Sequence, residues 1–192
     1  MDEMVWVGSS RGVFEVKSYF SMVELPGPTF PWKAIWRTKA PLKVAFFSWT
    51  TALGSILTTD NLRRSQVVVN GCYMCKKTGE SVNHLLIHCL VARDVFLVAL
   101  GIPWVFSESM VDLLESWRGC TVESRVRDAW RATPLCIWWG LWRERNRRYF
   151  EGVESPIWAI KYSILSSLFF WVNGRDCMSV DCLLDFVDSL KL

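Results

Sequence analysis

Histidine is scarce, with two residues in 192, and no apolar run approaches membrane-spanning length. The most apolar stretch, TPLCIWWGLW, covers about ten residues between Arg131 and Arg143 and contains Pro134, against roughly 20 for a bilayer-crossing helix. No transmembrane helix and no membrane partner are therefore expected. The opening MDEMVWVGSSRGVFEV has acids where a secretory signal carries basic residues, and it lacks a continuous apolar core. Export is not expected, which leaves an intracellular setting, nucleus or cytoplasm. No Asp-Asp pair occurs, so the metal site of a polymerase has no visible source, and no H-x-E precedes a P-C-x-x-C, as a zinc deaminase requires.

What is present is apolar and aromatic. Hydrophobic residues make up 51% of the chain and charged ones 21%, with twelve tryptophans and eleven phenylalanines, enough for a real core in one or two domains. A mean hydropathy of +0.19 is high for a soluble protein and leaves apolar surface for a protein partner. Seven cysteines is an odd number, and a reducing compartment disfavours a disulfide framework. The net charge of +3 is uneven. Residues 125–148 hold seven arginines against Asp128 and Glu144, a local +5 on a body of −2, which points to a nucleic-acid or acidic partner.

Along the chain, VWVGSSRGVFEV alternates about a Gly-Ser-Ser-Arg-Gly turn and reads as a β-hairpin. A short helix from Lys17 to Leu25, capped by Ser18, stops at the PGP of 26–28. Trp32 and Trp36 stand four apart, and Val44, Phe47 and Ala52 recur at near-helical spacing behind Pro41, which suits a first helical position. TTDNLRRSQ has a Thr cap and an early acid. The run from Ser81 is helix-like up to Gly101, and SESMVDLLESW opens with Ser and Glu capping signals. The longest expected helix is Val122 to Phe150, with Trp130, Trp138, Trp139 and Trp142 near one face and a kink at Pro134. Helices over 156–172 and 180–190 follow. The expected fold is mainly α, with helices around a small knuckle at 71–89 and a short N-terminal β-hairpin. Three regions result: 1–28, 29–105, and a C-terminal helical region at 106–192.

The knuckle, GCYMCKKTGESVNHLLIHCL, gathers three cysteines and both histidines into residues 71–90. Cys72 and Cys75 form a CxxC, from which two thiolates of one tight turn reach a single ion, and thiolates select zinc. A redox CxxC would need a strand-then-helix context that is missing. His84 and His88, four apart, share a helical face. His84 and Cys89, five apart, lie about 140° apart around an ideal helix and meet only if the helix bends or ends. Helix geometry favours the histidine pair, whereas the H-x4-C spacing of zinc knuckles favours His84 with Cys89. Four protein ligands close the coordination sphere, so one structural Zn2+ is expected, with no site for a reacting water. With both histidines claimed, no nucleophile-base pair remains, and neither catalysis nor a small-molecule substrate is expected.

The run FPWKAIWRTKAPLKVAFFSWTTALGSILTTDNLRRSQ leading into CYMCKKTGESVNHLLIHC resembles the reverse transcriptase zinc-binding domain of plant LINE-type, non-LTR retrotransposon polyproteins. The resemblance rests on the W-x3-W, PLKVAFFSW, TTDNLRR and the C-x2-C run, and extends over roughly residues 5–152. It implies the ligands Cys72, Cys75, His84 and Cys89, with His88 a bystander. Residues 153–192 do not resemble the RNase H domain that often follows in such polyproteins, so a detached, non-catalytic copy is expected.

Trp138, Trp139 and Trp142 beside the RERNRR arginines Arg143, Arg145, Arg147 and Arg148 offer a base-stacking and phosphate-contacting platform. The alternative is a buried aromatic stripe followed by arginines that complement the helix dipole. Cys120, Cys136, Cys177 and Cys182 read as small core residues or free thiols. Two functions follow: an accessory module binding RNA or DNA, or a protein-interaction module working through exposed aromatics. Chelating the zinc is expected to melt 62–95 first.

Overall fold

The computed structural model describes residues 30–63, 71–100 and 107–174, with residues 63 and 98–100 described by their backbone alone. The expected hairpin, the helix over 17–25 and the helix over 180–190 lie outside these residues. Apart from Phe30, everything described belongs to a unit that begins at Pro31.

Helix α1, Trp32–Trp36, turns the buried Ile35 inward and leaves Trp32 and Trp36 exposed. Thr38 closes it, its hydroxyl donating to the Ile35 carbonyl at 3.1 Å. Helix α2, Leu42–Ala52, buries Val44, Ala45, Phe47, Ser48 and Thr51. Pro41 stands one residue earlier than expected: its ψ of 147° places it at the N-cap, where its carbonyl accepts from Val44 and Ala45. Helix α3, Thr59–Arg63, carries Asp60 in its first turn, and the Thr58 hydroxyl donates to that carboxylate.

The helix expected over 81–101 is two elements. Ser81 starts it by accepting the His84 amide at 3.1 Å. A π-helical turn, His84–His88, follows and ends at Cys89, whose ψ of 137° breaks the helix. Helix α4, Leu90–Leu100, then begins afresh. Helix α5, Met110–Gly119, is capped by Ser109, whose hydroxyl accepts from the Asp112 amide.

Helix α6, Arg127–Glu151, starts five residues later than expected and is about 37 Å long at 1.5 Å per residue. Its residues are buried without a break from Ala132 to Trp138, so the tryptophans do not define one apolar face. The helix is a central axis, packed by α2, α4, α5, the π-turn and helix α7, Ile157–Asn173. Phe47 of α2 meets Trp139 edge-on at 5.3 Å and stacks on Trp142 at 5.7 Å. Pro134 cannot donate to the Trp130 carbonyl one turn back. The Trp117 indole N–H takes that place at 2.8 Å, while the Trp130 indole donates to the Trp117 carbonyl at 3.3 Å. The two rings stack at 4.3 Å. The freed carbonyl is thereby satisfied inside the core, and α5 is pinned to the start of α6. The helix ends at Gly152, whose left-handed φ of 67° is the backbone state that glycine tolerates. No strand is present among the described residues, which are mainly α-helical as expected.

Candidate metal centre

Cys72, Cys75, His84 and Cys89 converge, each offering one ligand atom, with all four atoms within 4.8 Å of one another. Tight turns bring the first pair into place. Cys72 accepts the Lys76 amide at its carbonyl and donates its own amide to the Thr78 carbonyl, both at 2.8 Å. Lys76 takes a left-handed φ of 57° to complete the loop. The amides of Cys75 and Met74 point at the Cys72 sulfur.

The π-turn supplies the other two. The Cys89 amide donates to the His84 carbonyl at 2.6 Å, a five-residue closure in place of the usual four. Five residues then come much closer to one full turn, so the 140° offset of an ideal helix shrinks and His84 comes to the side of Cys89. Cys89 also caps α4, its sulfur accepting from the amides of Val91 and Ala92. There the amide dipoles of the helix N-terminus favour a thiolate. His88 faces away, half-turned to the Glu108 carbonyl at 3.3 Å. The choice left open by helix spacing is therefore decided by the π-turn.

The spacing of the donors fits zinc. A tetrahedron with Zn–S bonds of about 2.3 Å has S–S edges of about 3.8 Å. Cys72 and Cys89 stand 3.9 Å apart at sulfur, and the Cys75 sulfur lies 3.4 Å from His84 Nε2. Cys72 and Cys89 are buried, Cys75 and His84 partly so. Without metal, the Cys72–Cys89 hydrogen bond and burial push the Cys72 thiol well up, and the same bond holds Cys89 below its ordinary value against burial. A zinc ion held by these residues would displace that proton to solvent and offset two of the three thiolate charges. Three thiolates and an imidazole leave no open position. One structural zinc ion fits this site.

Behind the ligands is a polar hub that the sequence reading missed. Glu80 is fully buried, and its Oε1 accepts from Arg145 Nη2 at 2.7 Å, Arg145 Nε at 3.0 Å and the Thr59 amide at 3.1 Å. Its Oε2 accepts from the Tyr73 amide at 3.3 Å. Arg145 in turn lies against the rings of Tyr149, Trp142 and Tyr73 at 4.8, 5.2 and 5.4 Å. Arg148 donates to the Tyr73 and Met74 carbonyls inside the CxxC turn, at 3.3 and 3.0 Å. It also pairs with Glu144 at 2.8 Å. Burial pushes the Glu144 carboxyl up, but hydrogen bonds from Arg148 and Ser155 outweigh this and hold it below its ordinary value. A glutamate directly after KKTG and an arginine inside an aromatic run were the available signals, and neither is distinctive.

The structure separates the four RERNRR arginines. Arg145 and Arg148 are inside, holding the knuckle to α6. Arg147 is half-buried and bonded to Glu144 and Ser155. Arg143 is exposed. Trp138 is fully buried, and Trp139 and Trp142 pack on Phe47. Cys136 is a buried thiol, raised by burial and donating to the Ile164 carbonyl at 3.3 Å. Cys120 is half-buried, and Cys177 and Cys182 lie outside the described residues.

Residues 14–96 match the family described as zinc-binding in reverse transcriptase. That segment is similar to the reverse-transcriptase zinc-binding family. All four converging ligands fall within the segment, while Arg145 and Arg148, which clasp its knuckle, come from beyond its end. The chain is also similar to a protein of Arabidopsis thaliana with the provisional name ribonuclease H protein, 28% identical over 160 residues and covering 78% of this chain. The chain spans about a quarter of that relative, 25% of its length. No solved structure matches the chain. No described helix is long and apolar enough to cross a membrane.

Proposed function

We propose that the protein is a zinc-stabilised accessory module of non-LTR retrotransposon origin that binds nucleic acid and carries no catalysis of its own. In this reading Cys72, Cys75, His84 and Cys89 are the zinc ligands. The observation that carries it is the closed donor set on a buried clasp: sulfurs 3.9 Å apart, capped by backbone amides, and backed by Glu80 and Arg145. Such a site holds structure and offers no position to a reacting water. The reverse-transcriptase family and the name of the Arabidopsis relative both belong to proteins that act on nucleic acid, and the exposed Arg125, Arg127, Arg131 and Arg143 suit a polyanion.

The second reading, a protein-interaction module, draws on the exposed Phe150, Val153, Trp158 and Tyr162 around the turn into α7. A salt titration of the zinc-loaded chain against generic RNA separates the two. Phosphate contacts make affinity fall steeply with salt. No RNA affinity even at low salt would overturn nucleic-acid binding and leave the protein-interaction module.

A further inference from the structure

A cavity of about 410 Å³ opens between α1, the end of α5 and the start of α6, and its lining includes Lys33, Arg37, Arg118, Arg127 and Arg131 but no acid. All five cations are exposed, and among the described residues none makes an ion pair. The neighbouring acids are engaged elsewhere: Glu123 with Arg125 at 2.7 Å, and Asp128 with Lys39 at 3.8 Å. Lys33 of α1 and Arg37 at its C-cap both line the cavity, the Arg37 amide donating to the Lys33 carbonyl at 3.3 Å, and Arg127 and Arg131 are one turn apart on one side of α6. Beneath them the stacked Trp117 and Trp130 form part of a rigid floor.

Beside the cavity, Trp32 and Trp36 are 50% and 40% exposed on α1. Lys33 and Arg37 lie 5.3 and 5.9 Å from the Trp32 ring. Exposed indoles next to uncompensated cations are the two components of single-strand recognition, one for the base faces and one for the phosphates.

We propose that this cleft is a phosphodiester-binding site for single-stranded nucleic acid, with Lys33, Arg37, Arg118, Arg127 and Arg131 on the phosphates and Trp32 and Trp36 stacking on bases. It rests on the nucleic-acid reading above and moves the contact surface away from RERNRR. A duplex would offer phosphates but no free base faces, so single strands bind more tightly than duplex of equal length. Two of the seven arginines of the +5 segment, Arg127 and Arg131, serve here, joined by cations from α1 that are distant in sequence.

The test uses the full zinc-loaded chain with oligouridylate or oligothymidylate of about 12 nucleotides, a duplex of the same length, and inorganic phosphate as competitor. Arg118→Ala/Arg131→Ala should make the log-log salt slope shallower by about 1.4, at about 0.7 per single-strand phosphate contact. The charge-matched Lys77→Ala/Arg143→Ala should leave it unchanged. Trp32→Ala should weaken binding about tenfold without altering the slope, as loss of stacking requires. Zinc content and helical circular dichroism confirm that each variant is folded. Wild-type binding with equal slopes for both double variants overturns the cleft and leaves the proposed function standing. No wild-type binding at low salt overturns both. Equal affinity for duplex, or displacement by millimolar phosphate, overturns single-strand recognition.

Discussion

At the scale of single residues, the decisive pair is Cys89 and His88, adjacent in sequence and opposite in fate. Cys89 shares a buried edge with Cys72 and caps α4, whereas His88 is exposed beside the Glu108 carbonyl. Cys89→Ser should reduce bound zinc well below one per chain and His88→Ala should leave it at one, measured by elemental analysis of purified protein. Equal loss in both variants would put the metal elsewhere. Arg145 is the second case. Removing one partner of a buried pair strands the other charge, so Arg145→Ala should destabilise by about 3–5 kcal/mol in urea unfolding. Arg145→Met combined with Glu80→Leu removes both charges and should cost less than that single change. A double variant as unstable as Arg145→Ala would mean that Glu80 stabilises mainly through the Thr59 and Tyr73 amides.

At the scale of elements, the close approach of α6 and α7 depends on a missing side chain. A Cβ on Gly140 would stand 2.3 Å from Ile164 Cγ1 and 2.7 Å from its Cδ1. Gly140→Ala should therefore cost about 1–3 kcal/mol by overpacking, despite alanine's better helix propensity. In an Ile164→Ala background the same change should become neutral or favourable, a coupling visible in a double-mutant cycle; an unchanged cost would place the strain in the backbone. Helix existence was legible from caps and spacing, as α2, α3 and α5 show at Pro41, Thr58 and Ser109. The π-turn was not, because HLLIHC has a sequence compatible with an ordinary helix, and the wider closure shows only in the Cys89 amide bond to the His84 carbonyl. The burial of α6 on all sides over residues 132–138 was equally hidden: RDAWRATPLCIWWGLWRERNRR mixes arginine with tryptophan, and only partners from outside the helix, such as Glu80 and Ser155, make Arg145 and Glu144 internal. The four residues that converge at the knuckle were the ones that the resemblance implied, among alternatives that helix spacing left open.

At the scale of the whole molecule, the knuckle and the long helix are one mechanical unit over part of their length. Structural zinc contributes on the order of 10 kcal/mol to a small site, and the sequence alone suggested that its loss would melt 62–95 first. The geometry extends that range. Arg148 holds the Tyr73 and Met74 carbonyls, Glu80 is bonded to Arg145, and Thr59 is bonded to Glu80. When the CxxC turn opens, Arg145 is left against the Trp142 and Tyr149 rings with its carboxylate partner displaced, an arrangement that costs several kcal/mol. The far half of α6 has other support, since the reciprocal Trp117–Trp130 bonds and the buried run from Ala132 to Trp138 do not involve the metal. Chelation followed by hydrogen exchange should therefore strip protection from 71–95 and from the last two turns of α6, about residues 143–151, while residues 129–141 stay protected. Loss confined to 71–95 would mean that Arg145 and Arg148 hold their places without the knuckle. Uniform loss along α6 would make the zinc site and the helical body a single cooperative unit.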